Sequence, residues 1–173
     1  MTATATLTPL LLGTAAVGSG LVGGVFFTFS GFVLPALARL PASAGVSAMQ
    51  AVNRAAVTPP LMTALFGTAA VAAAVAVTAV PALRADDGAT RTPALLAMGG
   101  AALYLAAGVL VTVAANVPLN DRLAGVDAGT PAAAQTWERY VRVWGGWNHV
   151  RTLGCLAASA LLTAAALRPA GPA

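Results

Sequence analysis

The chain has no lysine, one histidine and one cysteine, and only 8% of its 173 residues are charged. A soluble domain carries about 25% charged residues. So thin a supply cannot cover a water-facing surface, and a soluble globular protein is excluded. The lone Cys155 excludes an internal disulfide and a two-cysteine thiol redox centre, and is read as a small apolar helix residue. The lone His149 leaves a haem carrier without its second axial histidine within one chain. The five acidic residues, Asp86, Asp87, Asp121, Asp127 and Glu138, fall outside the long apolar runs. A proton-coupled transporter usually keeps a carboxylate inside its spans, so that class is disfavoured. One histidine and connecting carboxylates give a metal little to bind, and neither metal nor cofactor is expected. The nine basic residues are all arginine, and they form no basic stripe, so no nucleic-acid partner is expected despite the net charge of +4. An arginine-only set in so alanine-rich a chain reflects a GC-rich genome as much as a physical demand.

What is present is apolar sequence: 58% of residues are hydrophobic and the mean hydropathy is +0.82. A spanning helix needs roughly 20 apolar residues. Uncharged runs predict spans at about 8–34, 59–81 and 93–116, with a fourth at 147–167. The first lacks a basic n-region and is read as an uncleaved span. Pro35 marks a break after it, Pro59-Pro60 opens the second, and Pro81 closes it. The expected fold is all-α: one integral membrane domain, a four-helix bundle. The first and third connections carry amphipathic segments, SAGVSAMQAVNRA and QTWERYVRVW, while Asp86-Asp87-Gly88 reads as a tight turn. Four spans put both termini on one face. The other face, with the first and third connections, holds Arg39, Arg54, Arg122, Arg139, Arg142 and Arg151, so the positive-inside rule turns that face to the cytoplasm of a bacterial plasma membrane. Gly20 and Gly24 fit the small-x-x-x-small spacing of close helix pairs, which also allows a homo-oligomer.

The polar residues are not spread evenly. The uncharged run 152–167 spans only about 24 Å, short of the roughly 30 Å hydrocarbon core. The last helix must therefore begin near Gly146 or Trp147, which draws Asn148, His149 and Arg151 to the membrane boundary or inside it. Charge at that depth costs about 2.5–3.5 kcal/mol on insertion scales and usually faces a protein interior or a wet cavity. Helix directions bring three more polar groups to the same level: Thr28 and Ser30, Asn53 and Arg54, and Asn116 and Asn120 around the kinking Pro118. On the last helix Tyr140, Trp144, Asn148, Arg151 and Cys155 form one stripe, with His149 about 100° round. The plainer readings are interfacial belt residues for Trp144 and Trp147, helix caps for Asn116 and Asn120, and topology signals or lipid-phosphate contacts for Arg54, Arg122, Arg139 and Arg142.

GVFFTFSGFVLPAL, AMQAVNRAAVTP, NVPLND and WERYVRVWGGWNHVRT occur in that order and resemble the anthrone-oxygenase-like family of small four-helix membrane proteins. The resemblance covers nearly the whole chain. It implies oxidation of an anthrone to an anthraquinone by O₂ without metal or flavin, on a small hydrophobic aromatic substrate. An anthrone has an acidic CH₂ between two aromatic rings, and its carbanion can reduce O₂ directly. The protein then needs a base, an oxyanion site and an apolar pocket. Carried onto this sequence, His149 is the base, with Arg151 and Asn148 beside it as catalytic groups. Arg54 and Asn116 join Arg151 and Asn148 as donors to the developing phenolate. Asn53, Asn120 and Tyr140 complete the substrate site, and Trp144, Trp147, Phe26, Phe27 and Phe29 wall it. A non-catalytic protein holding a lipid or small hydrophobic molecule would use the same cluster.

Overall fold

The computed structural model describes residues 3–84 and 86–168, and these form helices with no strand among them. Four helices are long and apolar enough to cross a membrane: α1 over Thr8–Leu37 (the helix begins at Ala3), α3 over Pro59–Leu83, α4 over Gly88–Ala124 and α5 over Ala132–Ala166. This is an integral membrane helical bundle. A shorter amphipathic helix, α2 over Ala42–Ala56, follows α1 and buries Val46 and Met49. Each spanning helix packs against two others: α1 against α3 and α5, α4 against α3 and α5.

Two features depart from simple reading of the proline positions. Pro35 and Pro118 do not end their helices. Each sits just after a π-helical turn, Phe29–Val33 in α1 and Thr112–Asn116 in α4. A third such turn, Thr63–Gly67, follows Pro59 and Pro60 in α3, and a fourth lies at Tyr104–Leu110 in α4. Local π adjustment and outside hydrogen-bond partners are how apolar surroundings tolerate a residue with no N–H. Tyr104 supplies one such partner, its hydroxyl donating to the Leu65 carbonyl inside the α3 π-turn at 2.9 Å. The second departure is in α5, which runs unbroken for 35 residues. The segment QTWERYVRVW and the last span are one helix, because Gly145-Gly146 lowers helix propensity by only about 1 kcal/mol per residue and the buried Trp144 and Asn148 on either side are tied into packing.

The interior divides into two clusters. Between the spans it is built from small residues, among them Ala15, Ala72, Ala101, Ala158 and Cys155, with Leu162 and Tyr104 filling between them. At one end a second cluster joins Leu34, Val46, Met49, Leu123, Trp137, Tyr140 and Trp144. In lipid there is little hydrophobic drive between helices, and small residues gain stability by letting backbones approach closely. Gly154 shows the need: a Cβ there would overlap the Cβ of Ala107 across the α4–α5 contact. Gly45 does the same for the second cluster, since its missing Cβ leaves room for the Trp137 ring, otherwise 2.6 Å away. α2 is fastened over this end by Gln50, whose Nε2 donates to the carbonyls of Leu123 and Val126 at 2.9 Å each.

Candidate functional site

The predicted stripe on α5 is buried along its length. Tyr140, Trp144, Asn148, Arg151 and Cys155 all face inward. Their ring planes stack: Trp137 on Tyr140 at 5.8 Å between centroids, and Tyr140 on Trp144 at 5.9 Å. Phe29 meets Trp144 edge-on at 5.8 Å. Phe29 and Trp144, with Phe26 and Met49, wall a chamber of about 150 Å³ under α2, at the end of the bundle where α1 and α4 finish and α3 begins, and Tyr140 and Trp137 stack behind Trp144. Stacked and edge-on pairs each add about 0.5–1.5 kcal/mol beyond their burial, so this wall is stiffer than the alanine-rich packing beyond it.

Arg151 reaches into the chamber. It is 7% exposed, and its guanidinium carbon lies 3.6 Å from the centre of the Phe26 ring and 5.7 Å from that of Trp144. Its Nε is buried with no hydrogen-bond partner, and no carboxylate among the described residues faces it. Arginine keeps its proton under all ordinary conditions. A buried charge without a partner costs several kcal/mol, of which a desolvated cation–π contact returns about 2. Depth makes the cost real. Arg151 lies about 25 Å along α5 from Arg168, so the two cannot both stand outside a roughly 30 Å core.

The asparagines divide. Asn148 is fully buried, and its Nδ2 donates to the Phe26 carbonyl and to Ser30 Oγ, both at 2.8 Å. Thr152 donates to the Asn148 carbonyl at 2.8 Å, and Ser30 Oγ lies 3.2 Å from Thr152 Oγ1. With the Thr152 proton so used, Ser30 donates to Thr152, and the three side chains clip α1 to α5 beside the π-turn. Asn116 donates to the Trp144 carbonyl at 3.3 Å and does not line the chamber. The amide oxygens of Asn116 and Asn148 are buried without partners. Asn120 and Asn53 do line the chamber. The Asn120 Oδ1 accepts from the Tyr140 hydroxyl at 2.8 Å, the buried Asn53 amide lies against the same hydroxyl, and the Trp144 Nε1 is buried with nothing to bond.

Other residues singled out in the sequence stand elsewhere. His149 is exposed and lines a separate outer groove with Ser30, Leu34, Pro35 and Arg142. Arg54 is exposed, as are Trp147 and Phe27 at 43% and 58%. One step along each helix separates these from Asn148, Asn53 and Phe26, because successive residues point about 100° apart. Sequence reasoning did not single out Met49, Val52, Leu61 and Met62 as chamber lining. Only the helical spacing of Val46, Met49 and Val52 hinted that α2 turns a face inward. Among the described residues no three His, Cys, Asp or Glu side chains converge.

Four spanning helices enclosing an aromatic-walled chamber with a solitary guanidinium define a small helical membrane protein with an interior site at one end. The chain belongs to the anthrone oxygenase family, whose model matches residues 59–161. That match takes in α3, α4 and most of α5, including Trp144 and Arg151, while Phe26, Phe29, Met49 and Asn53 come from the part before it. No curated protein and no solved structure matches the chain.

Proposed function

We propose that the protein is a membrane-embedded oxygenase that oxidises a flat aromatic substrate of the anthrone type with O₂, the oxidation needing no cofactor. The observation that carries this reading is the unpaired Arg151 guanidinium, held against Phe26 in a chamber walled mostly by apolar and aromatic side chains. A tricyclic ketone with an acidic CH₂ matches both features: its rings are flat and apolar, and its deprotonated form spreads negative charge onto the ketone oxygen. The balance is simple. One proton leaves the CH₂, the carbanion gives an electron to O₂, and the resulting radical and superoxide combine to a hydroperoxide on the ring carbon. Loss of water, which breaks the O–O bond and takes the second hydrogen of the CH₂, leaves the new carbonyl. One substrate and one O₂ give one quinone and one water.

In this reading Arg151 holds the ketone oxygen, Trp144 offers a further N–H group to it, and Phe26, Phe29 and Trp144 wall the rings. Asn120 and Tyr140 hold the α2-facing wall. Asn148 and Asn116 position, the first by fixing the Phe26 backbone, the second by fixing the Trp144 backbone. His149, Arg54 and Trp147 face away from the substrate. At about 150 Å³ the chamber is smaller than typical drug-sized sites of roughly 300–1,000 Å³. A three-ring molecule therefore enters by moving the flexible Met49 and Met62 side chains, at the edge where the outward-facing Val57 borders the chamber.

The test is conversion of an anthrone to its quinone by membranes containing the protein, under O₂, against membranes without it. Acceleration that persists in chelator and depends on Arg151 supports the reading. Tight binding of the anthrone with no acceleration would replace it by a carrier of small hydrophobic molecules.

A further inference from the structure

The chamber contains donors and no base. Arg151 and Trp144 each bring a buried N–H group that nothing in the protein accepts. Two amides line the wall: the Asn120 oxygen accepts from Tyr140, and the Asn53 side chain also lies against the Tyr140 hydroxyl. Among the described residues no carboxylate and no imidazole lines it, and the groove that holds His149 shares no lining residue with it. The titratable groups acting on Arg151 are Tyr140 and Cys155, both ordinarily neutral near pH 7. A cavity with one fixed positive charge, a spare indole N–H and neither carboxylate nor imidazole on its wall is complementary to an oxyanion.

We infer that the chamber binds its ligand as a phenolate or enolate anion, and that it promotes ionisation by pairing the anion with Arg151 instead of removing the proton with a side chain. This rests on the proposed aromatic substrate and adds the charge state in which it is held. The proton passes to water or a buffer base outside the protein, and the ligand oxygen exchanges its hydrogen for the guanidinium. Two opposed effects decide the outcome. Burial in an apolar chamber makes a phenol less acidic, whereas an opposite charge within about 4–6 Å makes it more acidic by roughly 10- to 1,000-fold. The sign of the change therefore reports whether Arg151 reaches the oxygen.

The experiment uses the full chain in detergent micelles and 2-hydroxyanthraquinone, a flat three-ring phenol with no CH₂ to oxidise and a visible absorption that reddens on ionisation. Its titration is followed by absorbance, bound and free. The expected result is an ionisation constant at least tenfold larger when bound, lost in Arg151→Met and partly kept in Arg151→Lys. Circular dichroism establishes that both variants remain helical; if Arg151→Met unfolds, the wild-type sign and the Lys variant decide. Bound probe that is less acidic than free, or equally acidic in wild type and Arg151→Met, would overturn the inference. Because the probe cannot turn over, the two claims separate. Ionised probe without anthrone conversion sinks the oxygenase reading alone, and conversion with a neutral bound probe sinks only this one.

Discussion

Away from the chamber, the spans meet through Ala15, Ala72, Ala101 and Ala158, with Gly154 drawn against Ala107. At the chamber end they meet through Trp137, Tyr140, Trp144, Leu34 and Met49, with Asn148, Ser30 and Thr152 clipping α1 to α5. The first half gains from close approach and dispersion, and among the described residues the Ser19 hydroxyl is its one buried side-chain polar atom without a partner. The second half keeps buried side-chain polar atoms without partners on Asn116, Trp137, Trp144, Asn148 and Arg151. Such groups are costly in a protein interior and are rare there. The contrast teaches that the alanine-rich half holds the bundle together, and that the aromatic half spends part of that stability on a site.

The largest effect is expected of Arg151→Met. Removing a charge-stabilising donor of this kind costs about 100-fold or more in rate, while removing a buried unpaired charge relieves a desolvation penalty. Anthrone conversion should fall about 100-fold and the thermal midpoint in micelles should hold or rise. A variant that stays active, or one that melts far below wild type, would make Arg151 a structural residue. Next is Gly154→Leu in the other half. Forcing a side chain into the Ala107 contact is overpacking, worth about 1–3 kcal/mol, so the unfolding midpoint should drop clearly, with chamber residues untouched. A fully stable Gly154→Leu protein would refute close α4–α5 packing.

Asn148→Ala is expected to cost less. Interhelical hydrogen bonds in membranes average about 0.6 kcal/mol and reach about 1.7, so loss of the Phe26 and Ser30 bonds should lower stability by about 1 kcal/mol. Turnover should fall with it, because Phe26 is the ring under Arg151. Double substitution with Thr152→Ala should be less than additive if the clip is real. The smallest effect is at the opposite end, where Asp87 caps α4 by accepting from the Thr90 N–H at 2.7 Å. That bond holds the Asp87 carboxyl below its ordinary pKa. Its contribution is therefore full above the ordinary carboxylate value near 4, and it is lost as pH falls through the lower folded value. Asp87→Ala should flatten this acid limb of the stability profile slightly. An unchanged acid limb would show that the exposed cap does nothing.

Much of the molecule was legible in the chain. Charge-free runs mark the spans, since each charge inside the core is expensive, and Pro59-Pro60 marks the start of α3. The inward stripe on α5 followed from steps of three and four. Proline misled at Pro35, read as a break, where a π-turn lets α1 continue; at Pro118, read as a kink, a π-turn likewise precedes the proline and α4 runs on. The glycine pair Gly145-Gly146 misled too, since α5 passes through it unbroken. In the candidate site, the polar end was readable but its membership was not. Asn53, Asn120, Tyr140, Trp144, Asn148 and Arg151 gather at or behind the chamber wall, while His149, Arg54 and Trp147 turn outward.

By itself, the order of apolar and polar residues determined that this chain threads a bilayer as a helical bundle and collects its hydrophilic groups at one end. Both follow from local costs: hydrogen bonding the backbone in lipid and keeping charge out of the core. Only the tertiary structure decided which of two neighbouring residues faces the chamber. That choice rests on the rotation of each helix about its axis, which contacts distant in sequence set, such as Gly154 against Ala107 and Asn148 against Phe26.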